Sequence, residues 1–63
     1  MNERIREYRE ALNLTQKEMA ERLGVEQSSV SMWETGKASP RADMLLRIAK
    51  LFGCTVGDLF KEG

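Results

Sequence analysis

The chain has 63 residues, 41% of them apolar, and ten basic residues cancel ten acidic ones. A chain of that length makes one domain, residues 1–63, and buries roughly 60% of its unfolded surface; with a single proline, its core has to come mostly from helices. There is no histidine and only one cysteine, Cys54, which excludes an internal disulfide and a cysteine zinc cluster and removes the commonest general base.

The first predicted helix places Met1, Ile5, Tyr8 and Leu12 at helical spacing, with Asn2 available to cap one end and Asn13 to end the other. Arg4, Arg6, Arg9, Glu3, Glu7 and Glu10 fill its remaining faces. This charged opening, MNERIREYREALN, lacks the apolar stretch of a signal peptide. No apolar run approaches the ~18 residues that span a membrane, so a cytoplasmic protein is expected.

In TQKE, Thr15 and Glu18 fit a capping box: the hydroxyl takes the Glu18 amide and the carboxylate reaches back. The helix opened there has Met19, Ala20 and Leu23 on its apolar side and Gly24 to stop it in the left-handed conformation. QSSVSMWET, residues 27–35, is the third helix, closed in the same way by Gly36. Ser39 and Pro40 read as the start of the fourth, since proline is tolerated in a first turn. Met44, Leu45, Ile48, Ala49 and Phe52 form the broadest apolar stripe there, up to Gly53. TVGD repeats the capping pattern at Thr55 and Asp58, and Val56, Leu59 and Phe60 are expected to pack that last short helix down. Without repeats, linkers or low-complexity tracts, this is an all-α chain, a compact five-helix bundle.

The third helix is unusual. At about 100° per residue, Val30 and Trp33 fall on one side, while Gln27, Ser28, Ser31, Met32 and Thr35 share an arc of about 140° on the other. A surface helix normally carries long charged side chains there, yet neither Lys nor Arg occurs from Val25 to Gly36. Short neutral hydrogen-bonding groups suit close approach to another surface; a merely solvated face is the alternative. Two short helices joined by a turn containing Gly24, the second with a polar face, make a helix-turn-helix arrangement. Its second helix fits the major groove, about 12 Å wide. A Gln27 amide can pair with adenine N6 and N7, Ser28 is a less selective donor and acceptor, and Met32 offers an apolar contact to a thymine methyl.

LTQKEMAERLGVEQSSVSMWETGKASP resembles the phage-repressor and Cro-like helix-turn-helix domains, the XRE-type family. The resemblance runs from RIREYREALNLTQ to LLRIAKLFGCTVGDLF, with the LTQ opening, Ala20, the LGV turn, Val30 and the WETGK exit in order. It implies a lambda-repressor-like fold and sequence-specific binding of a double-stranded DNA operator. It also implies transcriptional regulation by a bacterial or phage-encoded protein. The sequence does not separate repression from activation, although a bare domain with no sensor favours repression by occupancy, and no enzymatic activity, cofactor, metal, membrane or small-molecule ligand is expected.

By the same resemblance Gln16 would hold a backbone phosphate at the start of the second helix and brace the glutamine of the reading helix. Gln27, Ser28 and Met32 would read bases, with Ser31 touching base or sugar. Thr35 and Lys37 match phosphate-contacting positions, and Arg41 is a further phosphate candidate where the family varies in length. Arg9 and Glu34 match an ion pair tying the first helix to the end of the third, the alternative being two solvated charges. Ala20, Gly24 and Val30 would let the helices cross closely. Two departures stand out. Glu26 occupies the usual Ser or Thr cap position of the reading helix, where it caps less well and places a negative charge near phosphate, or accepts from a cytosine amino group. The zero net charge predicts few phosphates neutralised per monomer.

One such helix reads too few base pairs to find a site in a genome, and the family usually binds as symmetric dimers. With no oligomerisation segment after the domain, a weak homodimer that firms up on DNA is expected, through Leu51, Cys54, Val56 and Leu59 unless these are ordinary core. A protein-interaction module is the rival use of the same fold. An antitoxin would combine both uses, but no toxin-binding tail follows Gly63. Catalysis has little support: the carboxylates sit beside basic residues and Cys54 has no histidine partner. The chain can also be read as the excised DNA-reading domain of a longer protein.

Overall fold

The computed structural model describes residues 3–60, which form α1 (Glu3–Ala11), α2 (Gln16–Leu23), α3 (Gln27–Thr35), α4 (Ala42–Phe52) and α5 (Val56–Leu59). Each helix contributes to one core of Ile5, Met19, Ala20, Leu23, Val30, Trp33, Ile48, Ala49, Phe52 and Leu59. Tyr8 stacks on Phe52 with ring centroids 5.4 Å apart and planes within 13°, joining α1 to α4. None of the described helices is long and apolar enough to cross a membrane.

Local hydrogen bonding sets the boundaries. At α2 the Glu18 amide donates to Thr15 Oγ1 at 3.0 Å and the Thr15 amide donates to Glu18 Oε1 at 2.8 Å. At α5 the Asp58 amide donates to Thr55 Oγ1 at 3.1 Å and the Thr55 amide to Asp58 Oδ2 at 3.2 Å. Each box satisfies donors that a helix start otherwise leaves unpaired. Gly24 ends α2 at φ 72°, and the following Val25 amide reaches back to the Ala20 carbonyl at 3.0 Å. A Cβ on Gly24 would meet nothing within 4 Å. The glycine is therefore needed for its backbone conformation and not, as expected, for a close crossing of helices; Ala20, 3% exposed, takes that packing role.

Three other expectations are corrected, and one falls on residues that are not described. α1 stops at Ala11 and the chain turns through Asn13 at φ 59°, so Leu12 is not carried onto the core face and stays 46% exposed. Met1 and Asn2, expected to extend and cap that helix, lie outside the described residues. The fourth helix does not start at Ser39 and Pro40. The backbone stays extended through Arg41, its N-cap, and Pro40 is buried ahead of the helix. Phe60 follows the end of α5 and is 46% exposed, so only Leu59 anchors that helix fully.

Candidate nucleic-acid interface

α3 is oriented by what it buries. Val30 is fully buried, and Trp33 and Glu34 are 7% and 8% exposed. The opposite face carries Gln27, Ser28 and Thr35 exposed, Met32 39% exposed and Ser31 partly buried. The neutral arc inferred from the spacing is thus the solvent side of the helix. Its N-cap Glu26 is extended and makes no side-chain capping bond; Gly36, at φ 83°, closes the other end. Short polar side chains leave the helix surface low, so a partner can approach the backbone closely.

The inward carboxylate decides how α3 sits. Arg9 Nε donates to Glu34 Oε2 at 2.6 Å and Arg9 Nη2 donates to Oε1 at 3.1 Å, a two-pronged pair with the Glu34 side chain fully buried. Arg9 Nη1 also donates to the Leu14 carbonyl at 2.7 Å, holding the α1–α2 connection. Gln16 Nε2 donates to Glu34 Oε1 at 3.0 Å, and the half-exposed Arg6 approaches the same oxygen at 3.5 Å. Burial pushes the Glu34 carboxyl up. Hydrogen bonds from Arg9 and Gln16, the Arg9 charge and Arg6 outweigh that, so it titrates below the usual carboxylate range. The hydrogen bond to Glu34 raises Arg9 further, outweighing the effect of its burial.

One carboxylate therefore ties α1 and the start of α2 to the end of α3. The Gln16 amide was expected to brace Gln27; the structure directs it to Glu34 instead. An amide nitrogen has a second hydrogen, so this bond still leaves Gln16 a donor for an anion at the head of α2. Thr35 Oγ1 donates to the Ser31 carbonyl at 3.1 Å, so its hydroxyl proton already has a helical acceptor. A phosphate accepts but cannot donate, and Thr35 would have to give up that bond to hold one. Lys37, in the α3–α4 loop, and Arg41, at the head of α4, are both exposed.

The residues considered for a dimer contact are divided. Leu59 is fully buried in its own core and cannot present a surface. Leu51, Cys54 and Val56 pack partly buried against that core. Leu46 at 59% and Phe60 at 46% are exposed; neither is among the dimer candidates read from the sequence, which places Phe60 against the core instead. The available signal was that Leu46 lies about 100° off the Leu45 position on a helix wheel. Burial pushes the Cys54 thiol up, Tyr8 works against it as a hydrogen-bond partner and Asp58 adds to it, which keeps the sulfur protonated.

The helix-turn-helix family model matches residues 5–59. The chain is 40% identical over 58 residues to the HTH-type transcriptional activator BcrR of Enterococcus faecalis, covering 92% of this chain and 28% of that protein. It is 37% identical over 60 residues to an uncharacterised HTH-type transcriptional regulator of Archaeoglobus fulgidus, covering 95% and 84%. It is 33% identical over 61 residues to repressor protein C2 of Salmonella phage P22, covering 97% and 28%. The chain thus spans little more than a quarter of the activator and of the phage repressor, and most of the archaeal regulator. No solved structure matches it significantly. The family match begins at Ile5 and stops at Leu59, the first and last residues of the buried core, so it extends over the whole folded unit: this chain belongs to the helix-turn-helix family.

Proposed function

We propose that the chain is a sequence-specific double-stranded DNA-binding transcriptional regulator whose α3 lies in the major groove. The observation that carries this reading is the exposed neutral face of Gln27, Ser28 and Met32, held opposite the buried Val30 and Trp33. Gln27 and Ser28, in the first turn, are the side chains a groove-bound helix brings nearest the base edges. Gln27 would take adenine, Met32 a thymine methyl, and Ser31 a base or sugar. Gln16, Lys37 and Arg41 would hold phosphates around the reading helix, with Thr35 joining if its hydroxyl leaves the Ser31 carbonyl.

Relatives named both as an activator and as a repressor support a role in transcription of either sign. Repression by occupancy of an operator in the cytoplasm is the simplest output that DNA binding by this domain can deliver. Two copies on half-sites about one DNA turn apart would supply the missing specificity. Leu51, Cys54 and Val56, together with the exposed Leu46 and Phe60 in place of the buried Leu59, are the apolar side chains available for that weak contact. No catalytic step belongs to this function.

Selection of bound sequences from random duplexes tests it. The expected result is enrichment of one short motif, repeated about one helical turn apart. A pool that stays random after several rounds overturns the reading.

A further inference from the structure

Away from α3, an open groove of about 490 Å³ runs between the ends of α2 and α4, lined by Arg22, Leu23, Arg47, Lys50 and Leu51. None of these residues belongs to α3, to the α3–α4 loop or to the start of α2. Arg22, Arg47 and Lys50 are exposed, and among the described residues none has an ion-pair or hydrogen-bond partner. The acidic residues one turn earlier do not neutralise them. Glu18, four before Arg22, is turned back to the Thr15 amide, and Asp43, four before Arg47, makes no ion pair with it. In a chain whose charges cancel overall, three cations around two leucines with no acidic partner among the described residues are a local excess of positive charge.

Part of this charge has an internal use. Arg22 and Lys50 lie in the last turns of their helices, where a cation complements the carbonyl end. Arg47, in the middle of α4, has no such role. Guanidinium groups match carboxylates in a two-pronged geometry, and the partly buried Leu51 beside Leu23 offers an apolar footing between them. A nucleic-acid backbone brings phosphates and nothing apolar to cover Leu51. A small organic anion is normally enclosed by its pocket, and this groove is open. We propose that the groove docks an acidic segment of a partner protein, its carboxylates on Arg22, Arg47 and Lys50 and one apolar side chain on Leu51. The site does not depend on the DNA-reading role of α3.

The test is a titration of the full 63-residue chain with a short synthetic peptide of Asp and Glu around one central leucine, followed by amide chemical shifts and by anisotropy of the labelled peptide. Shifts at Arg22, Arg47, Lys50 and Leu51 are expected. The Arg47→Glu/Lys50→Glu variant should weaken binding at least about tenfold, because like charges oppose the carboxylates. Replacing the peptide's leucine with serine should weaken it several-fold. The milder Arg47→Gln variant gives the same readout, at a smaller fold-change, if the charge reversal impairs folding. Unchanged binding by the variants, equal binding of the serine peptide, or shifts that map elsewhere would each overturn the proposal. So would a non-specific DNA duplex that moves the groove amides as strongly as the peptide does, or self-association of the free chain that Arg47→Glu abolishes; these would make the groove a phosphate site or a contact between copies.

Discussion

Arg9 and Glu34, 25 positions apart in sequence, close a two-pronged ion pair at 2.6 and 3.1 Å in a place where the carboxylate has no contact with water. Taking such charges out of water costs as much as their attraction returns, so the pair is weak support for stability as a unit, while breaking it leaves a buried charge without its main partner. Arg9→Ala or Glu34→Ala is expected to cost about 3–5 kcal/mol, most of the stability of a domain this small. An Arg9→Met/Glu34→Leu double variant should stay within about 2 kcal/mol of the parent, since apolar replacements of similar volume are often neutral. Urea midpoints of the three variants check this; equal losses in single and double variants would show that the helices depend on the charges themselves.

The same carboxylate makes stability sensitive to acid. Its folded-state value is lowered, so it binds protons less readily in the folded chain than in the unfolded one, where a glutamate titrates near ~4.3. Its contribution is then fully present above that unfolded value and is lost as pH falls through the lower folded value. Melting temperature should drop steeply below pH ~4. Glu34→Gln should be less stable at neutral pH and show a flatter acid limb; parallel acid limbs for the two proteins would count against this role of Glu34.

Glu26 begins α3 without a side-chain capping bond. Glu26→Ser restores the preferred cap and is expected to add about 0.5–1 kcal/mol of stability. It also removes a negative charge from the head of the reading helix. On duplexes chosen by selection, affinity should rise uniformly if the carboxylate only repels phosphate. A drop confined to sequences with one particular cytosine would assign Glu26 to reading that base.

Gln27 and Ser28 point outward and hold nothing in the fold. The Gln27→Ala/Ser28→Ala variant should therefore melt within about 0.5 kcal/mol of the parent, as exposed substitutions do. It should lose about 1–3 kcal/mol of binding to the selected sequence while non-specific binding stays the same. A loss of binding below ~1 kcal/mol removes the case for direct readout there.

Salt dependence follows from the basic residues proposed to hold phosphates beside α3, Lys37 and Arg41 beyond its end. Each neutralised phosphate contributes about 0.9 to the slope of log affinity against log salt. A slope of about 2 per monomer is expected, far below the ~10 of a strongly basic repressor. Binding isotherms at several salt concentrations measure it directly, and a slope near ten would mean that phosphate contacts come from elsewhere.

What the chain reveals before folding is whatever acts over three or four residues. The Thr15–Glu18 and Thr55–Asp58 boxes and the glycine stops at Gly24, Gly36 and Gly53 are legible because both partners of each bond lie within one helical turn. So is the outward neutral arc of α3, since a helix period alone separates Gln27 and Ser28 from Val30 and Trp33. The ion pair of Arg9 and Glu34 was foreseeable only through a resemblance. Nothing local indicates that Gln16 would bond Glu34 and not Gln27, because that depends on how steeply α2 crosses α3. The burial of Leu59 and exposure of Leu12, Leu46 and Phe60 were likewise settled by which helix packs where. The groove of Arg22, Arg47 and Lys50 gathers residues from two helices separated by a third, and a like-charged cluster of that kind comes together only when other contacts, those of the shared core, hold the helices in place.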